Sequence, residues 1–267
     1  MAHIEEIDDT PVPKKVVKKR SISPSVQFYL YVYNAVSAMG WSYVLLGTLT
    51  HLFALPIPLP YLSETSAPFK GFPASSWAAS LEALLPAALV PVLQRATTTY
   101  ARIGTQTALV QSLAILEVLH AVLGWVGSGA VTTMVQVASR YMLVWGIAPL
   151  YPAAQITPFY ASMVLSWSIT EVIRYTHFAI TLLGYEPYIL LYLRYTTFYL
   201  LYPTGASSEA FCMFVTLPGS GESWGVLSLI RATLFGIWWP GLYVMYMHMV
   251  KRRRKVLGGK SSKSKSE

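Results

Sequence analysis

Six stretches of this chain stay apolar for close to the roughly 20 residues that a helix needs to cross a bilayer. They fall at about 26–52, 105–126, 131–150, 158–183, 187–209 and 224–250. Hydrophobic residues make up 54% of the 267 and charged ones only 12%, about half the charged share of a soluble domain. Mean hydropathy is +0.46. The cations gather at the ends. Lys14, Lys15, Lys18, Lys19 and Arg20 precede the first apolar run, and residues 251–255 with Lys260 follow the last. The net charge of +8 is therefore mainly a topology signal, because positive residues collect on the cytosolic side of membrane proteins. Two cytosolic ends demand an even number of spans, and six satisfies this. No basic surface continues through the body, so no nucleic-acid partner is expected. The predicted class is all-α: a polytopic membrane bundle of six transmembrane helices, with a long insert between helices 1 and 2.

Residues 1–24 mix charges with Pro11, Pro13 and Pro24 and read as a disordered cytosolic tail. No cleavable signal peptide is apparent in them. Residues 25–250 form the six-span membrane domain, and 251–267 form a basic cytosolic tail. Within the domain, 55–103 is a luminal or re-entrant insert. Its apolar run 77–94 is interrupted by Glu82, Pro86 and Pro91, and a seventh span there would put one basic tail in the lumen. Lys263 and Lys265, five and three residues from the end, resemble a dilysine retrieval signal of the endoplasmic reticulum. A merely soluble basic tail would look similar. The one cysteine, Cys212, rules out a disulfide within the chain.

The fifth apolar run, PYILLYLRYTTFYLLYPTGASSE over 187–209, carries Arg194 inside it and Glu209 at its end. A charge within hydrocarbon costs roughly 2.5–3.5 kcal/mol on insertion scales, so it needs a partner or a role. Pro203 and Gly205 are expected to break the helix, with Tyr202 at the break. A phenol and a carboxylate flanking that kink can form an acid–base pair. Pro240 is expected to kink the last span.

Other ionisable groups lie in or near the spans: Glu117, His120, Arg140, Glu171, Arg174 and His177. Such groups usually face a bundle interior and pair with one another. Glu171, Arg174 and, roughly, Tyr175 share a helix face. Glu117, Gln136, Arg140, Glu171 and Arg174 are read first as a polar network tying helices together. Glu117-x-x-His120 is half of a carboxylate-bridged di-iron motif. The matching position after Glu171 is Arg174, which repels metal, and the histidines are scattered at 3, 51, 120, 177 and 248. No metal site is expected. A cysteine phosphatase needs an arginine six residues after its nucleophile, but Pro218 stands there. Cys212 therefore reads as an inert buried thiol.

Five runs together resemble one family: YNAVSAMGWSYVL (33–45), LEVLHAVLGWVGS (116–128), QVASRYMLVWG (136–146), WSITEVIRYTHF (167–178) and LRYTTFYLLYPTGASSE (193–209). They are similar to the 3-hydroxyacyl-CoA dehydratases of very-long-chain fatty-acid elongation, once labelled protein-tyrosine-phosphatase-like. The resemblance covers nearly everything from Phe28 to Val250, except 55–103. It implies a six-span protein of the endoplasmic reticulum membrane with both termini cytosolic, working beside a condensing enzyme, a ketoacyl reductase and an enoyl reductase. It implies dehydration of a (3R)-3-hydroxyacyl-CoA to the trans-2-enoyl-CoA, the third step of the elongation cycle. The family's catalytic tyrosine and glutamate fall on Tyr202 and Glu209, and its supporting residues on Gln136, Arg140, Arg194 and Gly205.

On this reading Glu209 is the base for the α-proton and Tyr202 the acid for the β-hydroxyl. The reverse assignment stays open, since a free phenol has a pKa of about 10. Arg194 reads either as stabilising developing negative charge or as a salt-bridge partner of a bundle carboxylate. The acyl chain would lie between helices, and the CoA phosphates would meet 251–254. No metal or organic cofactor is required. The alternative is a non-catalytic membrane scaffold or transporter with the same fold, which an intact Tyr202/Glu209 pair argues against.

Overall fold

Prolines mark where several of the helices begin. Helix α1 (Pro24–Phe53) has Pro24 at its first position, and the Ser23 hydroxyl accepts the Val26 N–H at 3.4 Å. Proline suits the first turn because its missing N–H would have no helical partner there. The helix stops at Ala54, in the left-handed conformation with φ 50°, ahead of Pro56, Pro58 and Pro60. The same device opens α2 (Val90–Ala96, with Pro91), α6 (Pro152–Gln155) and α7 (Pro158–Leu182). The structure, a computed structural model, describes residues 22–60, 62, 82–219 and 221–258. Residues 1–21, part of the insert (61 and 63–81) and the lysines at 263 and 265 lie outside the described residues.

The other helices are α3 (Thr99–Ser112), α4 (Ile115–Val122), α5 (Ala130–Tyr141), α8 (Tyr188–Arg194), α9 (Phe198–Phe214) and α10 (Val226–Arg253). A π-helical stretch, Met142–Ile147, extends α5, and another, Arg254–Gly258, extends α10. The described residues contain no strand, so the all-α expectation holds.

Helix α7 is the centre of the bundle, packed by α1, α9, α2 and α3. Helix α1 runs antiparallel to it, pairing Trp41 with Trp167 and Tyr33 with Tyr175. Helices α3 and α4 run parallel to it, pairing Tyr100 with Tyr160 and Glu117 with Arg174. Helix α9 is antiparallel to α7 through Thr204 with Ser166 and Ser208 with Ser162. Helix α10 returns antiparallel to α9, pairing Phe211 with Phe235 and Phe198 with Tyr246. The start of α1 and the end of α7 meet at one end of the bundle, where Gln27 Nε2 donates to Leu182 O at 2.8 Å. The end of α10, carrying the basic run, lies at that end too.

The break expected at Pro203 lies elsewhere. The helix is interrupted at 195–197, between α8 and α9, with i→i−4 bonding kept across the interruption, and α9 passes through Pro203 and Gly205. Contacts with α7 override the proline. Ser166 Oγ meets Thr204 Oγ1 at 3.1 Å, and Ser208 Oγ donates to Ser162 Oγ at 2.9 Å. A Cβ on Gly205 would stand 3.2 Å from Ser166 Cβ, so the missing side chain lets the two helices close up there. Within α9 the Ser207 hydroxyl bonds the Pro203 carbonyl, and Thr204 Oγ1 donates to Leu200 O at 2.8 Å. Pro240 likewise lies inside α10 without ending it.

Among the described residues one helical stretch, Thr99–Val122, is both long and apolar enough to cross a membrane, with mean hydropathy 1.2. Helices α1, α7 and α10 have the length, 30, 25 and 28 residues, but carry more Tyr, Trp, Ser and Thr. Large apolar side chains nevertheless face outward along the bundle, among them Phe28, Leu109, Val135, Leu200 and Val244.

Candidate active site

The site is built on α9 and the face of α7 against it. Tyr202 and Glu209 are seven residues apart on one helix. That is two turns, so they share a face and are separated by about 10 Å along the axis. Both are half-buried, and no hydrogen bond joins them among the described residues. Trp167, buried on α7, donates its indole N–H to Glu209 Oε1 at 2.6 Å. An indole N–H only donates, so Oε1 is held as an acceptor, while Oε2 receives no hydrogen bond among the described residues. The guanidinium of Arg140 lies over the Trp167 ring, 4.8 Å from its centroid. The positive charge thus lies on a face of the ring that orients Glu209, within electrostatic reach of that carboxylate.

Behind this pair lies a closed network of four charges. Arg174 donates Nη1 and Nη2 to Glu117 at 2.9 and 2.7 Å, and Nε to Glu171 at 2.5 Å. Glu171, 3% exposed, is also held by Arg140. The Tyr175 hydroxyl bonds Glu117, and the Tyr33 hydroxyl reaches the same carboxylate at 3.5 Å. Two carboxylates and two guanidiniums balance. The bidentate fork of Arg174 on Glu117 is the strong geometry for such pairs. Four of the five residues expected to tie the helices together, Glu117, Arg140, Glu171 and Arg174, are therefore joined. Gln136 is not among them: it shares a face of α5 with Arg140, four residues on, but is exposed and makes no side-chain hydrogen bond among the described residues.

The remaining candidates fall in distinct places. Gly205 is the close approach of α9 to α7 described above. Arg194 makes no salt bridge among the described residues. Its guanidinium stacks 4.2 Å from the Phe178 ring centroid, and Nη1 is buried without a partner. No bundle carboxylate pairs with Arg194 among the described residues; Glu117 is held by Arg174, and Glu171 by Arg140 and Arg174. His120 Nε2 is bonded to the Tyr29 hydroxyl at 3.0 Å, so Glu117 and His120 face separate protein partners. Cys212 is 2% exposed within α9.

Sequence reasoning missed Trp167, Tyr33 and the Arg231 cluster. Trp167 lies four residues before Glu171 and so shares its face, a signal that was present in the sequence. Tyr33 comes from α1, 84 residues from Glu117, and nothing local announces it. Buried Arg231 donates to the Tyr151 hydroxyl, to Thr216 O at 3.1 Å and to Ser228 Oγ at 3.0 Å. It knits α10 to the end of the bundle opposite the basic run.

A helical bundle with a Tyr/Glu pair on one helix and a balanced ionic network behind it defines a class by its buried polar chemistry. The family described as protein tyrosine phosphatase-like protein, PTPLA, matches residues 111–259. The chain belongs to this family. It is 45% identical over 150 residues to a probable very-long-chain (3R)-3-hydroxyacyl-CoA dehydratase of Schizosaccharomyces pombe, covering 55% of this chain and 71% of that one. It is 34% identical over 254 residues to the very-long-chain (3R)-3-hydroxyacyl-CoA dehydratase hpo-8 of Caenorhabditis elegans, covering 90% and 99%. It is 37% identical over 182 residues to the very-long-chain (3R)-3-hydroxyacyl-CoA dehydratase PASTICCINO 2 of Arabidopsis thaliana, covering 63% and 80%. No solved structure matches the chain.

Proposed function

We propose that this protein dehydrates very-long-chain (3R)-3-hydroxyacyl-CoA to trans-2-enoyl-CoA, with Tyr202 and Glu209 as its acid–base pair. Kinship with the dehydratases of yeast, worm and plant supports the reaction class. The observation that carries the residue assignment is the placement of Tyr202 and Glu209 on one face of α9, unbonded to each other, with Glu209 held by Trp167. A pair bonded to itself would have to be prised apart by substrate. A pair separated by two turns leaves room for C2 and C3 between the groups.

The thioester acidifies the C2 proton, and Glu209 Oε2, the oxygen without a hydrogen bond among the described residues, takes it. Electrons from the C2–H bond form the C2=C3 double bond as the C3–O bond breaks. Tyr202 gives its proton to the leaving hydroxyl, which departs as water. The proton on Glu209 then returns to the Tyr202 phenolate, and the protein is unchanged. Each proton transfer is worth roughly 10²–10⁴-fold. Arg140, stacked on Trp167 and within electrostatic reach of Glu209, supports the anionic form of Glu209. No step calls on a metal or an organic cofactor.

The protein acts as a six-span protein of the endoplasmic reticulum membrane, with both termini cytosolic and residues 55–103 on the luminal side. Its neighbours are the condensing enzyme and the two reductases of the elongation cycle. Outward-facing apolar side chains and the basic run at the end of α10 support this arrangement. The test is to incubate the purified full chain in detergent with a saturated very-long-chain (3R)-3-hydroxyacyl-CoA and follow enoyl absorbance. Catalytic turnover is expected, and no turnover by folded protein would favour a membrane scaffold instead.

A further inference from the structure

Two buried polar atoms without partners lie where α7, the end of α8 and the end of α10 meet. They are Nδ1 of His177 and Nη1 of Arg194. Arg194 stacks on Phe178, the residue next to His177. His177 is within electrostatic reach of Arg194, and Arg194 of both Arg174 and Arg252. Glu171, a carboxylate in reach of Arg194, is already held by Arg140 and Arg174, and Glu186 in reach of His177 offsets one charge of the three arginines around the site, Arg174, Arg194 and Arg252. Unpaired buried donors are costly. A cluster of unpaired donors with excess positive charge is completed by an anion, and a planar guanidinium fork fits phosphate.

The level of the cluster in the bundle says which phosphate. His177 lies five residues before the end of α7, and Arg252 is the penultimate residue of α10. The site therefore sits just inside the basic end. From Arg194 the chain continues helically through the 195–197 turn, where Thr197 N–H bonds Leu193 O at 2.9 Å and Leu201 N–H bonds Thr197 O at 2.9 Å. The eight residues to Tyr202 therefore rise about 12 Å. The pantetheine arm between the diphosphate and the thioester has about the backbone length of four extended residues, roughly 14 Å. We propose that Arg194 and His177 form the phosphate-anchoring subsite for the nucleotide end of the acyl-CoA, placing the thioester beside Tyr202. This rests on the dehydratase reading for its ligand, and makes Arg194 a binding residue and not a structural one.

The test begins with binding, which needs no turnover. Adenosine 3′,5′-bisphosphate carries CoA phosphates but neither the arm nor the acyl chain. It is expected to bind the purified full chain in detergent, and Arg194→Gln should weaken that binding by about tenfold or more. Arg194→Lys keeps the charge without the fork and should fall between. Thermal unfolding of each variant reports that the fold is kept. In turnover, the ratio of kcat/KM for the CoA thioester to that for the phosphate-free N-acetylcysteamine thioester should fall about tenfold in Arg194→Gln and less in His177→Ala. An unchanged ratio with unchanged nucleotide binding would overturn the proposal. So would nanodiscs rich in phosphatidic acid abolishing nucleotide binding with the ratio unmoved, since the anion would then be a lipid headgroup. Nucleotide binding that depends on Arg194 in a protein with no dehydratase turnover would keep the subsite and sink the reaction.

Discussion

Arg140 meets a carboxylate and Arg194 does not, although both were read as cations inside apolar segments. Arg140→Ala leaves Glu171, which is 3% exposed, with Arg174 as its one cation and the network one positive charge short, and removing a member of a buried ionic network costs up to about 3–5 kcal/mol. Thermal unfolding in detergent should show a large loss for Arg140→Ala and little change for Arg194→Ala, whose guanidinium has no carboxylate to abandon. Equal losses would mean that Arg194 is also held by a charge partner. Trp167→Phe removes the one hydrogen bond to Glu209 Oε1. It should lower kcat by about tenfold, as loss of a hydrogen bond to a charged group would, with KM nearly unchanged. The presence of these charges was legible in the sequence; their pairing was not. Glu117 finds Arg174 across 57 residues and Arg140 finds Glu171 across 31, separations at which no helical spacing speaks.

Helix α9 shows how packing governs an element whose local sequence argues for a break. Pro203 and Gly205 predict a kink, yet hydroxyl contacts and the close approach to α7 carry the helix past both. Gly205→Ala would put a methyl group 3.2 Å from Ser166 Cβ. It should destabilise by about 1–3 kcal/mol, the range for overpacking, with Ser166→Gly restoring much of the loss in the double variant. No rescue would mean that Gly205 acts through the backbone and not through helix approach. The apolar runs located α1, α7 and α10 closely, because runs of that length bounded by proline or glycine admit few other structures. They could not locate the 195–197 turn, which contains neither residue. Helix α2 ties the opposite end: Arg95 Nη1 caps α1 at Leu52 O, 3.1 Å away, and His51 Nε2 meets Thr98 Oγ1 at 2.9 Å. Arg95→Ala should cost about 1 kcal/mol, read as a drop of a few degrees in Tm.

At the scale of the whole molecule, the helices packed around α7 leave the start of α1 and the end of α10 at one end, with Arg194 just inside it and Glu209 deeper. The native cysteine, Cys212, is buried, so single introduced cysteines can map the topology cleanly. Ser23→Cys and Gly258→Cys should both label from the cytosol, and Gly219→Cys only from the lumen. Labelling of the first two from opposite sides would break the six-span arrangement. The central claim, that one face of α9 carries the chemistry, is tested most directly by Tyr202→Phe and Glu209→Gln. Both substitutions nearly preserve shape, so both proteins should fold and insert. Enoyl-CoA formation from a very-long-chain (3R)-3-hydroxyacyl-CoA should fall at least about 100-fold in each. Turnover at the unmutated rate by either variant would contradict the account and remove that residue from the reaction.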